Sequence, residues 1–214
     1  MGIVIRIALL VIGYAFGLFQ SGYIIGKITK QDLRKSGSGN TGATNALRVM
    51  GIKGGIIVFL LDALKAFIPC FAVSMIFREN TYRYVYLMYT AFGVILGNDY
   101  PFYLHFKGGK GVAATSGYSL AWCWWAWIIG MSFFFAVAAI TGYVSLASCL
   151  VTLVIIGLNA LFGVLNHFGT AVFIEYMVVV VLMQALLVWR HRANIKRLLN
   201  GTENRFGHKK KEEK

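Results

Sequence analysis

Three short stretches of this chain hold most of the groups that could do chemistry. The first, KSGSGNTGATNALR at 35–48, sets Ser38, Asn40, Thr44, Asn45 and Arg48 around three glycines, Gly39 among them. Glycine lets a backbone come close to a ligand. Successive N–H groups with hydroxyls beside them suit phosphate oxygens, and an arginine offers a dianion a planar fork. By composition alone, a flexible loop capped by Ser, Asn and Thr, with Arg48 as a topology marker, weighs about as much. The second stretch, FKGGKGVAA at 106–114, interleaves Lys107 and Lys110 with Gly108, Gly109 and Gly111 just before an apolar segment. A glycine-rich turn feeding a helix N-terminus is an anion site in principle. It is not a nucleotide loop, because Lys110 is followed by Gly111 where that pattern needs Ser or Thr. Taken alone, such a lysine pair reads first as a topology signal. The third, HRANIKRLLNGTENRF at 191–206, puts His191 and Asn194 three residues apart, on one face of a helix. An interfacial amphipathic helix would explain Arg192, Lys196 and Arg197, but has less to say about His191, Asn194 and Glu203.

Several familiar chemistries are missing. There is no Gly-x-Ser-x-Gly elbow, and no histidine has an aspartate five positions on. His105, His167, His191 and His208 never pair at the spacing of a helical metal site. The three cysteines, at 70, 123 and 149, lie in apolar runs and share no ligand spacing, so they read as core packing.

The elements that must position these stretches are set by composition. Hydrophobic residues make up 58% of the chain and charged ones 14%, against roughly a quarter charged in soluble domains. Apolar blocks run at 3–25, 54–77, 84–104, 111–140, 143–166 and 171–189. Most are long enough to cross a bilayer as helix, which needs about 20 residues, and too long for barrel strands of about 10. The chain is therefore expected to be all-α, a polytopic helical membrane protein. The block at 3–25 reads as a retained first crossing rather than a cleaved leader. The net charge of +13 is concentrated in loops: the polar stretches 26–53, 105–110 and 190–214 are basic, with nine Lys or Arg from Arg190 onward. That distribution is first a positive-inside signal and then an attraction to anionic lipid, with nucleic acid a remote third.

Parity then constrains the count. If the three basic stretches share the cytoplasmic side, an even number of crossings must lie between Lys107 and Arg190, yet only three apolar blocks are visible there. The 30-residue block 111–140 must then hold two crossings, with a break around 122–130 where aromatic residues collect. Seven transmembrane helices follow, with the N-terminus outside, the C-terminus cytoplasmic, and the 141–145 turn on the basic side. One domain, 1–207, precedes a charged cytoplasmic tail, 208–214. Asp62 and Lys65, at i, i+3 in the second crossing, are expected to form a structural ion pair. Glu175 is placed near an outer, water-accessible helix end and Asp99 near the end of the third crossing, neither with a role.

In combination the motifs resemble the bacterial membrane acyl-phosphate:glycerol-3-phosphate acyltransferase family. The likeness rests on 37–45 with Arg48, on 107–111, and on 191–195 with Gly201 and Glu203. Tyr143-Val144-Ser145-Leu146 and Leu61-Asp62-Ala63-Leu64-Lys65 add to it, in order along nearly the whole chain. The resemblance implies seven helices and transfer of a fatty acyl group from acyl phosphate to the 1-hydroxyl of sn-glycerol 3-phosphate. The products would be lysophosphatidic acid and phosphate, with no metal or cofactor, at the inner membrane and with the site facing the cytoplasm. It implies catalytic roles for Ser38, Arg48, Lys107, Ser145, His191 and Asn194. Gly39, Asn40, Thr44, Asn45, Gly108, Gly109, Lys110 and Gly111 would bind substrate, and Glu203 would brace its loop through an ion pair. It also implies a substrate-assisted route, in which the acceptor's own phosphate takes the hydroxyl proton. The sequence departs from the family at Asn98, where Gly-His usually precedes the proline; a structural role is expected for Asn98.

From another class, a transporter or channel for a phosphorylated anion would also use basic, glycine-rich breaks between helices. It should show polar residues near mid-membrane in several helices and an inverted repeat. Here the polar groups collect at one face and no repeat is visible. A purely structural protein leaves Ser38, Asn40, Thr44, His191 and Asn194 without a task.

Overall fold

The computed structural model describes residues 2–205; the tail 208–214 lies outside the described residues. The first apolar block is not one helix. It divides into α1 (Gly2–Gly17) and α2 (Ser21–Ile28). Gln20 fills the break, its Nε2 donating to the carbonyls of Gly17 (3.2 Å), Gly97 (3.3 Å) and Asn98 (3.0 Å). Freed backbone inside a membrane segment needs partners of this kind. α1 lies against α4 (Arg83–Asp99) through Gly13 and Gly17 on one side and Gly93 and Gly97 on the other. A Cβ at Gly13 would sit 2.1 Å from the Thr90 carbonyl oxygen, and one at Gly93 2.1 Å from that of Leu10. This is the small-xxx-small contact of membrane helices, where backbone proximity replaces hydrophobic driving force.

α3 (Ala43–Ile76) begins at the polar loop, kinks at Gly51 (φ 74) and carries Pro69 inside its length. Asp62 and Lys65 pair on it at 2.6 Å, both buried. α4 stops at Asp99, earlier than the expected 104. Pro101 disfavours helix in the residue before it, and Tyr100 is already non-helical at φ −133. Phe102–Leu104 form only a 3-10 turn. The long block 111–140 breaks at Cys123, extended at φ −160 and ψ 107, into α5 (Val112–Trp122) and α6 (Trp124–Thr141). α7 (Val144–Leu165), α8 (Thr170–Arg190) and the short α9 (Arg192–Leu199) follow. Leu87, Met88, Tyr118, Tyr176 and Met183 are fully buried where α4, α5 and α8 meet, with Cys70 and Cys123 in the same core.

Among the described residues, five segments are long and apolar enough to cross a membrane: Gly2–Ile28, Ala43–Ile76, Trp124–Thr141, Val144–Leu165 and Thr170–Arg190. α4 has 17 residues and α5 only 11, so α5 covers about 16 Å of a hydrocarbon core about 30 Å thick. This is a multi-pass helical membrane protein. Its chain returns four times to one end, at 29–42, 100–111, 142–143 and 191–205. Contacts between Asn40 and Gly108, Arg190 and Gly109, and Ser145 and Glu203 join those four segments. The turn after α6 meets the third of the basic stretches, Arg205 Nε donating to the Tyr143 hydroxyl at 3.1 Å. Elsewhere, Arg6 of α1 and Glu175 of α8 form a two-pronged ion pair, with Nη2–Oε2 at 2.7 Å and the guanidinium 4.9 Å from the Tyr82 ring. Glu175, its side chain 27% exposed, is thus paired and still within reach of water.

Candidate active site

The loop before α3 is built around one amide. Asn45, 2% exposed, donates from Nδ2 to the carbonyls of Leu33 (2.9 Å), Ser36 (3.0 Å) and Asn40 (2.8 Å), and its Oδ1 accepts the Ser38 N–H at 2.7 Å. Expected to donate to a phosphate, Asn45 has no N–H left over: it shapes the loop instead. Asn40 also holds the fold, its Oδ1 accepting the Gly42 N–H (2.9 Å) and its Nδ2 reaching the Gly108 carbonyl at 3.3 Å. Gly39 supplies the turn at φ 72, closed by its N–H to the Ser36 carbonyl at 3.1 Å, and stays off the cavity wall. Ser38, Asn40, Thr44, Asn45 and Arg48 all line the cavity, but the two asparagine side chains are committed to the protein, which leaves those of Ser38, Thr44 and Arg48 to meet a ligand.

The glycines of 106–114 let a loop lie on the end of α4. A Cβ at Gly108 would sit 2.1 Å from the Asn98 carbonyl oxygen, and one at Gly109 2.6 Å from Asn98 Nδ2. The Gly108 and Gly109 N–H groups bond the Asp99 and Asn98 carbonyls at 3.2 and 2.9 Å. Underneath runs a buried polar chain. Lys65 Nζ donates to Asp62 Oδ1 (2.6 Å), Asn98 Oδ1 (2.7 Å) and the Phe19 carbonyl (2.7 Å), and Ser21 donates to Asp62 Oδ1 at 2.6 Å. Asn98 Nδ2 donates to Asp99 Oδ1 at 2.8 Å. Arg190 completes the chain, 3.7 Å from Asp99 Oδ2 and donating Nη2 to the Gly109 carbonyl at 2.7 Å. Asp99 and Arg190 are positioning residues that the sequence left without a task, and Asn98 links Lys65 to Asp99 between them. Charges inside a membrane segment were the available signal for Asp99; Arg190 was hidden among basic neighbours.

Lys110 and Lys107 part company here. Lys110 turns inward, hydrogen-bonded to Asn194 Oδ1. Lys107, expected to be catalytic, is exposed and off the cavity wall, because the chain is pinned inward only from Gly108 onward.

From the third stretch, His191 and Asn194 are buried at the α8–α9 junction and both line the cavity. His191 Nδ1 lies 2.8 Å from the Leu187 carbonyl. A carbonyl only accepts, so Nδ1 carries the proton and Nε2 keeps a lone pair. Glu203, 8% exposed, accepts from Asn194 Nδ2 (2.8 Å) and Ser145 Oγ (3.1 Å), and pairs with Arg197 at 2.7 Å. Burial pushes this carboxyl up, but those hydrogen bonds outweigh it and hold Glu203 below the usual range. Burial lowers Lys110 to about 8, helped by Arg197, Arg190 and Arg48 and opposed by Glu203. Burial, with the Lys110 charge, lowers His191 to about 4, so it is neutral at working pH.

All of this faces one cavity of about 530 Å³. Its polar end holds Ser38, Arg48, Lys110, Ser145, His191 and Asn194; its apolar end runs between α5, α6 and α7 past Trp127, Phe134 and Ile155. The first residues of α3, α5 and α7 all line it, and none of these helices has a side-chain N-cap or an acid in its first turn. Three positive dipole ends and their free N–H groups therefore converge with two cations, a setting for anions. Among the described residues no cluster of His, Cys, Asp and Glu has the makings of a metal site.

The family described as Glycerol-3-phosphate acyltransferase matches residues 7–201. A glycerol-3-phosphate acyltransferase of Mycoplasmopsis synoviae is 38% identical over 222 residues, covering 98% of both chains. One of Aquifex aeolicus is 37% identical, over 92% of this chain and 97% of its own. Among solved structures, the crystal structure of PlsY (YgiH), an integral membrane glycerol 3-phosphate acyltransferase, in its glycerol 3-phosphate form, superposes with a TM-score of 0.81. It is 35% identical and covers 94% of this chain and 96% of that one. The lysophosphatidic acid form of the same enzyme gives a TM-score of 0.79 at 34% identity, covering 94% and 95%.

Proposed function

We propose, from the premise that this chain belongs to the glycerol-3-phosphate acyltransferase family, that its acyl donor is an acyl phosphate. The chain is a glycerol-3-phosphate acyltransferase; the donor, the residue roles and the topology are our reading. The reaction is attack of the 1-hydroxyl oxygen of glycerol 3-phosphate on the acyl carbonyl carbon. The bond from that carbon to the phosphate oxygen breaks, giving 1-acylglycerol 3-phosphate and inorganic phosphate.

The observation that carries this reading is the two-ended cavity: uncapped helix N-termini and free cations at one end, a lipid-like groove at the other. An acyl phosphate has the same two ends. Arg48, exposed at the rim, and Lys110, held by Asn194, serve the two phosphates. Ser38 and Thr44, with the N–H groups opening α3 and α5, stabilise the carbonyl oxygen as it gains charge. His191 is too weak a base to carry the reaction. Its Nε2 accepts a hydrogen bond from an acceptor hydroxyl, while the acceptor's own phosphate takes the proton of the attacking one. Because phosphate leaves readily, holding the two substrates together can supply much of the rate. Ser145, Asn194 and Glu203 keep Lys110 aimed, and Lys107 steers anions to the mouth.

The basic loops at the polar end favour its placement at the cytoplasmic face of a bacterial inner membrane. With α4 and α5 as short crossings the count becomes seven. Transport is disfavoured because the cavity turns apolar away from that face. The test compares palmitoyl phosphate with palmitoyl-CoA as donors to glycerol 3-phosphate, with Ser38→Ala as control. Acceptor-dependent turnover from the acyl phosphate, lost in the variant, is expected; turnover from the thioester instead overturns the donor.

A further inference from the structure

The polar end of the cavity suits anions, and its apolar end is a long groove between helices. Along α7 the lining runs from Ser145 to Leu158, thirteen residues on, or about 20 Å of helix. Along α5, Thr115, Ser119 and Trp122 line it at i, i+4 and i+7, which is one face of a helix. The groove stops at Trp122. That side chain is 6% exposed, and behind it Phe162 meets the indole edge-on at 5.0 Å between ring centroids. Phe162 does not line the cavity, and neither do Phe168 or Tyr176, which pack beyond it. Trp122 is thus the wall between groove and core. At the other end of the groove, Ile56 of α3 and Phe135 of α6 line the cavity while being 53% and 60% exposed. A chain in the bilayer can enter there.

We propose that Trp122 is the end-stop of the acyl groove and sets the longest acyl chain the enzyme uses efficiently. The occupant is the fatty chain of the donor, so the inference rests on the acyltransferase reading above. An extended chain advances about 1.2 Å per bond, one third of a residue's reach. Gly111, at the anion end, lies eleven residues before Trp122, about 16 Å along α5. Taken separately, that distance and the 20 Å on α7 correspond to about 14 and about 16 bonds. A chain of about sixteen carbons fills the groove, and one of twenty must bend back or leave its end in lipid. A tail that reaches the groove from lipid gains little by burial, so the upper edge is steric: a closely packed wall has no room for further methylenes.

The experiment is a competition. The whole protein in detergent receives an equimolar mixture of saturated acyl phosphates of twelve to twenty carbons with glycerol 3-phosphate, and mass spectrometry reads the chain distribution of the lysophosphatidic acid. Because the readout is a ratio, partial loss of total activity does not affect it. Trp122→Ala opens roughly 5 Å, room for about four more bonds, and is expected to raise the twenty- to sixteen-carbon product ratio at least tenfold. Ala126→Phe narrows the groove from α6 near the same end, where Ala126 is buried and lines the wall. It is expected to shift the distribution toward twelve and fourteen carbons, and keeps the question open to test should Trp122→Ala fail to fold. An active wild type whose distribution is unchanged by either substitution overturns the end-stop alone and means that the chain leaves sideways between α3 and α6. A wild type that turns over no acyl phosphate of any length, in a folded sample, overturns the donor reading and the end-stop with it.

Discussion

Lys110 offers the sharpest handle on the site, because its charge should disappear within the working range of an assay. Burial places its ammonium at about 8 rather than the ordinary 10.5. The phosphate of glycerol 3-phosphate is a dianion well below that, with a second pKa near 6. In kcat/KM, which reports the free enzyme, the alkaline limb therefore belongs to the protein. Going from about pH 7.5 to about pH 9.5, the charged fraction of a group titrating at 8 falls roughly 25-fold, whereas one titrating at 10.5 loses only about a tenth. The assay is phosphate release at limiting glycerol 3-phosphate across that interval, corrected for spontaneous hydrolysis of the donor. A roughly 25-fold fall in kcat/KM is expected. Lys110→Arg, which stays charged above pH 12, should flatten the limb whatever its absolute rate. Glu203→Gln removes the carboxylate that helps keep Lys110 charged, so its limb should move to lower pH. Wild-type kcat/KM level to about pH 10, or an unchanged limb in Lys110→Arg, would refute the assignment.

Other substitutions probe the supports. Glu203→Ala strands the donors of Ser145 and Asn194 and frees Arg197; it should cost about 1–3 kcal/mol of stability, read by thermal unfolding in detergent, and lower kcat. Gly109→Ala puts a methyl 2.6 Å from Asn98 Nδ2 and must move the loop that carries Lys110. Since displacement of a reacting group by about 1 Å costs about 100-fold, kcat/KM should fall ten- to a hundredfold, measured against an unchanged helical circular dichroism spectrum. Asn98→Leu leaves the Lys65 ammonium one partner short and takes a donor from Asp99, so a loss of about 3 kcal/mol is expected; unaltered thermal stability would show that the buried chain does not hold the loop.

The helices were legible in the sequence wherever apolar length alone decided them. The division of 111–140 was legible too, because the parity of basic loops requires an even number of crossings and only one block was long enough to divide. Breaks set by tertiary contact were not. The interruption at 18–20 depends on Gln20 finding carbonyls on α4, whereas the early end of α4 had a local mark in Pro101 that the apolar run to 104 obscured. In the site, the residue types pointed to anions, but roles could not be separated by type. Asn45 and Asn40 look like ligands in a list of polar residues, and only their hydrogen bonds reveal that they hold the loop. Lys107 and Lys110 are equivalent on paper, and a pinned glycine between them sends one out and the other in. Asp99 and Arg190 lie 91 positions apart in the sequence, so nothing local could pair them.

An acyl phosphate held across the two ends of one cavity would present its carbonyl to glycerol 3-phosphate. The most direct measurement supplies palmitoyl phosphate carrying radiolabelled phosphorus, together with unlabelled glycerol 3-phosphate, and counts products in a single reaction. Expected are one labelled inorganic phosphate for each lysophosphatidic acid formed, no label in the lipid, and, with the acceptor withheld, no release above the spontaneous hydrolysis seen without protein. Protein-dependent release without acceptor, or lysophosphatidic acid formed only when palmitoyl-CoA replaces the phosphate donor, would contradict this.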